Sequence, residues 1–307
     1  MSIELLKSAF LGMKNTDYWS MQLLQINSRK DGISYYSREI ELKPDGKIKV
    51  FADELANKYL SSKGIEAYAG VDEYTGDVVG NVIYKLQADN ELIADEYVKL
   101  LSCVSDPDTE SKIETSKVSA YVILGEVQVG SEVMPMKLIS MQSPFLKLSN
   151  RFLFDAKGEF TEIRQPILTL KRSIDVVILG DTVYMLTLAG ENLFAMERAY
   201  KAVCKNKVTE IMECGFLTNA ELFETVATSG QNPRRFVSYN QSRLDALKNA
   251  RRRISLANKF GLSLNGTLID TNDKKTAERL VKFLCNKAML DPLDKSPVEV
   301  AAAKSWQ

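Results

Sequence analysis

Two β-rich runs, Ile174 to Leu179 and Thr182 to Leu188, are parted by only Gly180-Asp181. Two residues can reverse a chain only as a tight hairpin, and glycine in first place supplies the positive φ of a type II′ turn. The segment therefore commits the chain to antiparallel sheet. Two longer β-rich runs precede it, Ser119 to Val129 and Val133 to Met141, separated by Gly130-Ser131. A further hairpin is expected at Leu262 to Ile269, where apolar alternation surrounds Asn265-Gly266. Shorter β-rich stretches run from Trp19 to Ile26, Val78 to Leu86, Arg151 to Asp155 and Ile167 to Leu170.

Helical spacing interrupts these runs in no strict βα order. It predicts helices over Ser2 to Met13, over Phe51 to Ser62 with Phe51, Leu55 and Tyr59 on one face, and over Asn90 to Leu101. A helix after Gly190 repeats Leu193, Met196, Tyr200 and Val203, and a closing helix over Thr271 to Lys287 has Ala277, Leu280, Val281 and Leu284 as its buried stripe. Mixed elements in this arrangement indicate the α+β class. The 307 residues suggest about two domains. With a junction near Pro144, we expect a mixed α/β domain over 1–145, a β-hairpin plus helical domain over 146–291, and a tail over 292–307.

The chain contains no histidine. A Ser/His/Asp or Cys/His nucleophile, a His-ligated zinc and an imidazole base are thereby excluded, which lowers the expectation of an enzyme. The four cysteines, Cys103, Cys204, Cys214 and Cys285, form no CxxC pair, arguing against a thiolate metal site or a disulfide framework. No window approaches 18 uninterrupted apolar residues, and the first residues show no apolar leader. A soluble, cytoplasmic protein is expected.

Net neutrality hides a gradient. Residues 1–130 carry a net charge of −7, residues 131–230 of −1, and residues 231–307 of +8. Such asymmetry suggests a polyanionic partner, or two surfaces that meet in an assembly. The basic charge concentrates in Gln241 to Phe260, expected as one continuous helix. At 100° per residue, Leu247, Ala250, Ile254 and Ala257 share one side, and Lys248, Arg251, Arg252 and Lys259 the other, with Arg253 on a flank. Arg234, Arg235, Lys275 and Lys282 flank the segment in sequence, and no carboxylate occurs between Ala246 and Ile269. Cations spaced in this way neutralise successive phosphates and release counterions, giving affinity without base choice. The alternative is a solvated surface whose cations pair with acids such as Asp245 and Asp273.

Glycine-rich phosphate loops are absent from the sequence. A weak nuclease-like pattern, Asp31 with Glu41 and Lys43, could hold Mg²⁺. Glu39 and Glu41, however, alternate with Ile40 and Leu42 as solvent-facing strand residues do. Asp155, Asp175 and Glu197 are equally explained as strand-end and helix-start residues. No catalytic residue, metal ligand or cofactor is assigned.

Three segments, Phe152 to Ala156, Ile174 to Met185 and Leu193 to Tyr200, carry a resemblance. With their Phe-Asp-Ala strand, their Asp-containing hairpin ending in Tyr and their Phe-x-x-Glu-x-x-Tyr helix, the chain resembles the KwaB family over roughly Ser119 to Leu290. KwaB is the soluble component of the bacterial Kiwa anti-phage system. The resemblance implies a defence protein that binds double-stranded DNA and works with KwaA, a membrane-embedded partner that would recruit it to the inner membrane. It transfers no catalytic residues. We therefore expect a homodimer whose N-terminal domain serves assembly and whose C-terminal region binds DNA without sequence choice. Lys248, Arg251, Arg252 and Lys259 are the primary contacts, with Arg253, Arg234, Arg235, Lys275 and Lys282 in support. A metal-dependent nuclease and a pure assembly subunit without DNA binding remain as alternatives.

Overall fold

The computed structural model describes residues 3–29, 32–40, 46–76, 81–107, 117–142, 151–154, 160–163 and 170–299. The fold is α+β and divides into two compact units, one of residues 1–73 and 81–195, the other of residues 74–80 and 196–307.

The first unit contains, in chain order, α1 (Ile3–Met13), β1 (Trp19–Arg29), β2 (Gly32–Glu39), α2 (Lys47–Leu60), β3 (Gly70–Glu73), β4 (Val82–Gln87), α3 (Ala94–Ser105), β5 (Ala120–Val129), β6 (Glu132–Met141), β7 (Arg151–Phe154), β8 (Phe160–Ile163), β9 (Val176–Leu179), β10 (Thr182–Met185) and α4 (Ala189–Leu193). Eight strands form one sheet in the order β2-β1-β5-β6-β9-β10-β4-β3, antiparallel except for the β3–β4 pair. Strands β7 and β8 pair separately. The junction expected near Pro144, the predicted run at Ile167 to Thr169 and the first residues of the run at Val78 lie outside the described residues.

Burial explains the strand order. Every residue of Val176–Leu179 is buried, a pattern that needs cover on both faces of a sheet and so a central position. The β9–β10 hairpin, expected in the second domain, accordingly sits inside the first unit's sheet between β6 and β4. One face packs on Leu6, Ala9, Phe10 and Met13 of α1 and on Ala52, Leu55, Ala56 and Tyr59 of α2. The other face meets α3 and α4: Gln22 donates to the Val104 carbonyl at 3.0 Å, Ser37 to Cys103 at 2.6 Å and Tyr35 to Leu193 at 2.6 Å. Gly125 lies opposite Trp19, where a Cβ would fall 2.5 Å from the indole ring, so the cross-strand pair needs glycine.

The Gly180-Asp181 turn has the expected geometry. Thr182 pairs with Leu179, and only Gly180 has a positive φ, 57°. The same glycine-first, two-residue loop closes β5–β6 at Gly130-Ser131, with Gly130 at φ 63°. Asp175 acts as a strand-end cap: its carboxylate accepts from the Met141 N–H at 2.8 Å and the Thr187 hydroxyl at 2.6 Å.

The second unit contains α5 (Met196–Glu213), α6 (Ala220–Ala227), α7 (Asn232–Arg235), α8 (Gln241–Lys248), α9 (Ala250–Phe260), β11 (Leu264–Asn265), β12 (Leu268–Ile269), α10 (Lys274–Leu284), β13 (Ala288–Leu290) and β14 (Pro297–Glu299). Its core joins Cys204, Val208 and Ile211 of α5, Phe223 of α6, Leu244 and Leu247 of α8, and Ala277, Leu280, Val281 and Leu284 of α10. The predicted stripe of the closing helix is thus fully buried.

Three expectations are corrected here. The helix after Gly190 is two helices, because Ala195 takes a left-handed φ of 48° where the units part. In the β11–β12 hairpin Asn265 pairs with Leu268, so the turn is Gly266-Thr267, one residue later than Asn265-Gly266, again with glycine first. Residues beyond Pro292 are more than a tail, since Pro297–Glu299 pairs with β13.

Candidate nucleic-acid interface

The segment expected as one basic helix is broken at Asn249, whose backbone is extended (φ −82°, ψ 119°). Asparagine competes with the helix for its own backbone bonds and favours the N-cap. Here its side-chain oxygen accepts from the Arg252 N–H at 3.1 Å, opening α9, while its carbonyl accepts from the Arg253 N–H at 2.8 Å. Gly261, left-handed at φ 63° and ψ 37°, closes α9.

The break reassigns the cations. Arg253, expected on a flank as a supporting DNA contact, is turned inward and only 7% exposed. Its Nε donates to the Thr267 carbonyl at 2.7 Å, its Nη1 to the Leu247 carbonyl at 2.6 Å, and its guanidinium lies 5.5 Å from the Phe216 ring centre. Ending α8 at Lys248 leaves carbonyls in its last turn without helical donors, and Arg253 supplies one. Two other arginines play the same part. Arg243 donates to the Phe283 carbonyl at the end of α10 and to Ala288 at 3.1 Å, and Arg279 to the Gly261 carbonyl at the end of α9 at 2.6 Å. Guanidinium donors at helix C-termini thus tie α8, α9 and α10 together.

Lys248 stands in α8, where it pairs with Asp245 at 3.0 Å. Hydrogen bonding to Asp245 raises the lysine pKa, and the same bond, then that from Gln241, lowers the aspartate's. Lys282 and Arg235 converge on Glu299 at 2.7 and 3.6 Å, and Arg234 donates to the Tyr74 hydroxyl at 3.2 Å. These four cations meet partners from within their own unit. Lys275 is exposed in the first turn of α10 behind the capping Asp273.

Arg251, Arg252 and Lys259 remain exposed and form no ion pair among the described residues. With Ser255 and Asn258, also exposed, they occupy an arc of about 120° on α9 and span about 12 Å of its axis. The opposite side carries the buried Ala257 and the half-buried Ile254, whereas Ala250, expected in the apolar stripe, is exposed. Two arginines in the first turn add to the positive end of the helix dipole, a local cost that a bound anion would relieve. An Asn ahead of Ala-Arg-Arg-Arg reads as an N-cap, and that signal could have revealed the break from sequence.

Of the nuclease-like pattern, Asp31, Glu41 and Lys43 lie outside the described residues, as does Asp155. Glu39 is exposed at the end of β2, and Glu197 pairs with Lys201 in the first turn of α5. No helix of the described residues is long and apolar enough to cross a membrane.

No curated protein and no solved structure matches the chain. A family model described as Kiwa protein KwaB-like matches residues 117–292, more than half of the sequence. The matched span begins just before β5, takes in the β9–β10 hairpin and the whole of α5 to α10, and includes every arginine and lysine of the α9 surface. The chain belongs to the Kiwa protein KwaB-like family, and that membership places it with Kiwa anti-phage defence.

Proposed function

We propose that the second unit binds double-stranded DNA through its phosphates, without sequence choice, and that the chain breaks no bond itself. One observation carries the reading: Arg251, Arg252 and Lys259 share an exposed arc of α9 with no ion pair among the described residues, in a stretch without carboxylates. Surfaces built only for solubility intersperse both signs. The cations of this arc are unspent while Lys248, Arg235 and Lys282 are paired with acids, which supports a partner that brings its own negative charge.

In this reading the acidic first unit serves assembly as a homodimer and with the membrane protein KwaA, through which the chain reaches the inner membrane. Occupancy of phage DNA, or recruitment to it, is the working step.

A gel-shift titration with linear duplexes of unrelated sequence tests the proposal. Arg251→Glu with Arg252→Glu is expected to weaken binding to every duplex alike, by roughly tenfold or more at low salt. A folded double variant of unchanged affinity contradicts it.

A further inference from the structure

Beside the first turn of α9 stands the tip of the β11–β12 hairpin. Arg253 fixes it there: one guanidinium bridges the Thr267 carbonyl of the tip and the Leu247 carbonyl of α8, from a position adjoining Arg252 in the chain. Asn265, Gly266 and Thr267 are all exposed. The successive N–H groups of Gly266 and Thr267 make no hydrogen bond among the described residues, and neither does the side-chain amide of Asn265 nor the Thr267 hydroxyl. Gly266 has φ +62°, and space for 4 Å around the position of a Cβ is empty, so another backbone can approach closely. Consecutive unspent amide donors at a glycine turn form an anion-binding concavity, and Asn and Thr side chains are common phosphate donors.

We propose that Asn265-Gly266-Thr267 is a second contact for the sugar–phosphate backbone of duplex DNA, held beside α9 by Arg253 as a positioning residue. The inference rests on the α9 reading above and extends it. A duplex is stiff and its phosphates are regularly placed, so two contacts fixed relative to one another bind it with little ordering cost. Arg253, expected in the sequence as a DNA contact itself, here acts by locking the neighbouring donors in place.

Fluorescence anisotropy with a labelled duplex of mixed sequence, at low salt, tests this. Thr267→Glu and Asn265→Glu, each on an exposed tip, are expected to weaken binding roughly tenfold, while Thr209→Glu on the exposed face of α5 sets the baseline for a bare change of net charge. Arg253→Lys keeps the charge but loses the bridging geometry. Its affinity is expected to fall several-fold while the slope of log K against log salt stays that of the wild type, since the donors displaced are uncharged and no cation is taken from a phosphate. If both tip variants bind like Thr209→Glu while Arg251→Glu with Arg252→Glu loses binding, the hairpin contact is overturned and the α9 reading stands. If the arginine double variant also binds normally, both are overturned.

Discussion

A buried guanidinium is stable only while its N–H groups have acceptors, and Arg253 meets that condition with Thr267 and Leu247. Arg253→Ala strands those carbonyls, and since hydrogen bonds to charged groups contribute about 1.5–3 kcal/mol each, a loss of about 3 kcal/mol is expected. Arg251→Ala, at an exposed position, should stay within about 0.5 kcal/mol of the wild type. Urea unfolding of the two variants measures the difference, and equal losses would contradict the assignment. Ionisation offers a second residue-level check. Burial pushes the Cys204 thiol up to about 12 from 9.0 and the Tyr121 hydroxyl up to about 12 from 10.0. Both pKa values are higher folded than unfolded, so the stability gained by keeping these groups neutral is whole below pH 9. It is lost as pH rises from 9 towards 12. Unfolding free energies across that range should fall, and Cys204→Ala should make the fall shallower. A flat profile to pH 12 would refute the burial of these groups.

Among the elements, turn chemistry was the most legible feature. Glycine in first place of a two-residue loop signals its hairpin locally, and Gly180-Asp181 needs no distant partner to do so. Asn265-Gly266 was displaced by one residue because Gly266-Thr267 also offers glycine first, and the pairing of Leu264 with Ile269 chooses between the two. Helix continuity was less legible. Apolar spacing runs through Asn249 unbroken, and the break depends on a cap and on Arg253, which reaches back six residues to Leu247. Asn249→Ala removes the cap and should lower stability by about 1 kcal/mol in denaturant unfolding. An unchanged midpoint would mean that the break does not depend on the asparagine.

For the whole molecule, the charge gradient drew attention to the stretch that carries the exposed cations of α9 but overstated how many cations are free. Lys248, Lys282 and Arg235 are neutralised by Asp245 and Glu299, and the acid at 299 lies in a strand the sequence showed only as tail. Long-range pairing of this kind leaves no local signal, which is also why the β9–β10 hairpin could be recognised but not assigned to the centre of an eight-stranded sheet. What survives as a candidate surface is the smaller set on α9. Its most direct test is the dependence of duplex affinity on salt. On the proposed binding, three phosphates neutralised by Arg251, Arg252 and Lys259 would contribute a slope of about −2.7 in log K against log salt. Replacing all three by alanine should flatten the wild-type slope by that amount; a folded triple variant whose slope and affinity match the wild type would contradict DNA binding through α9.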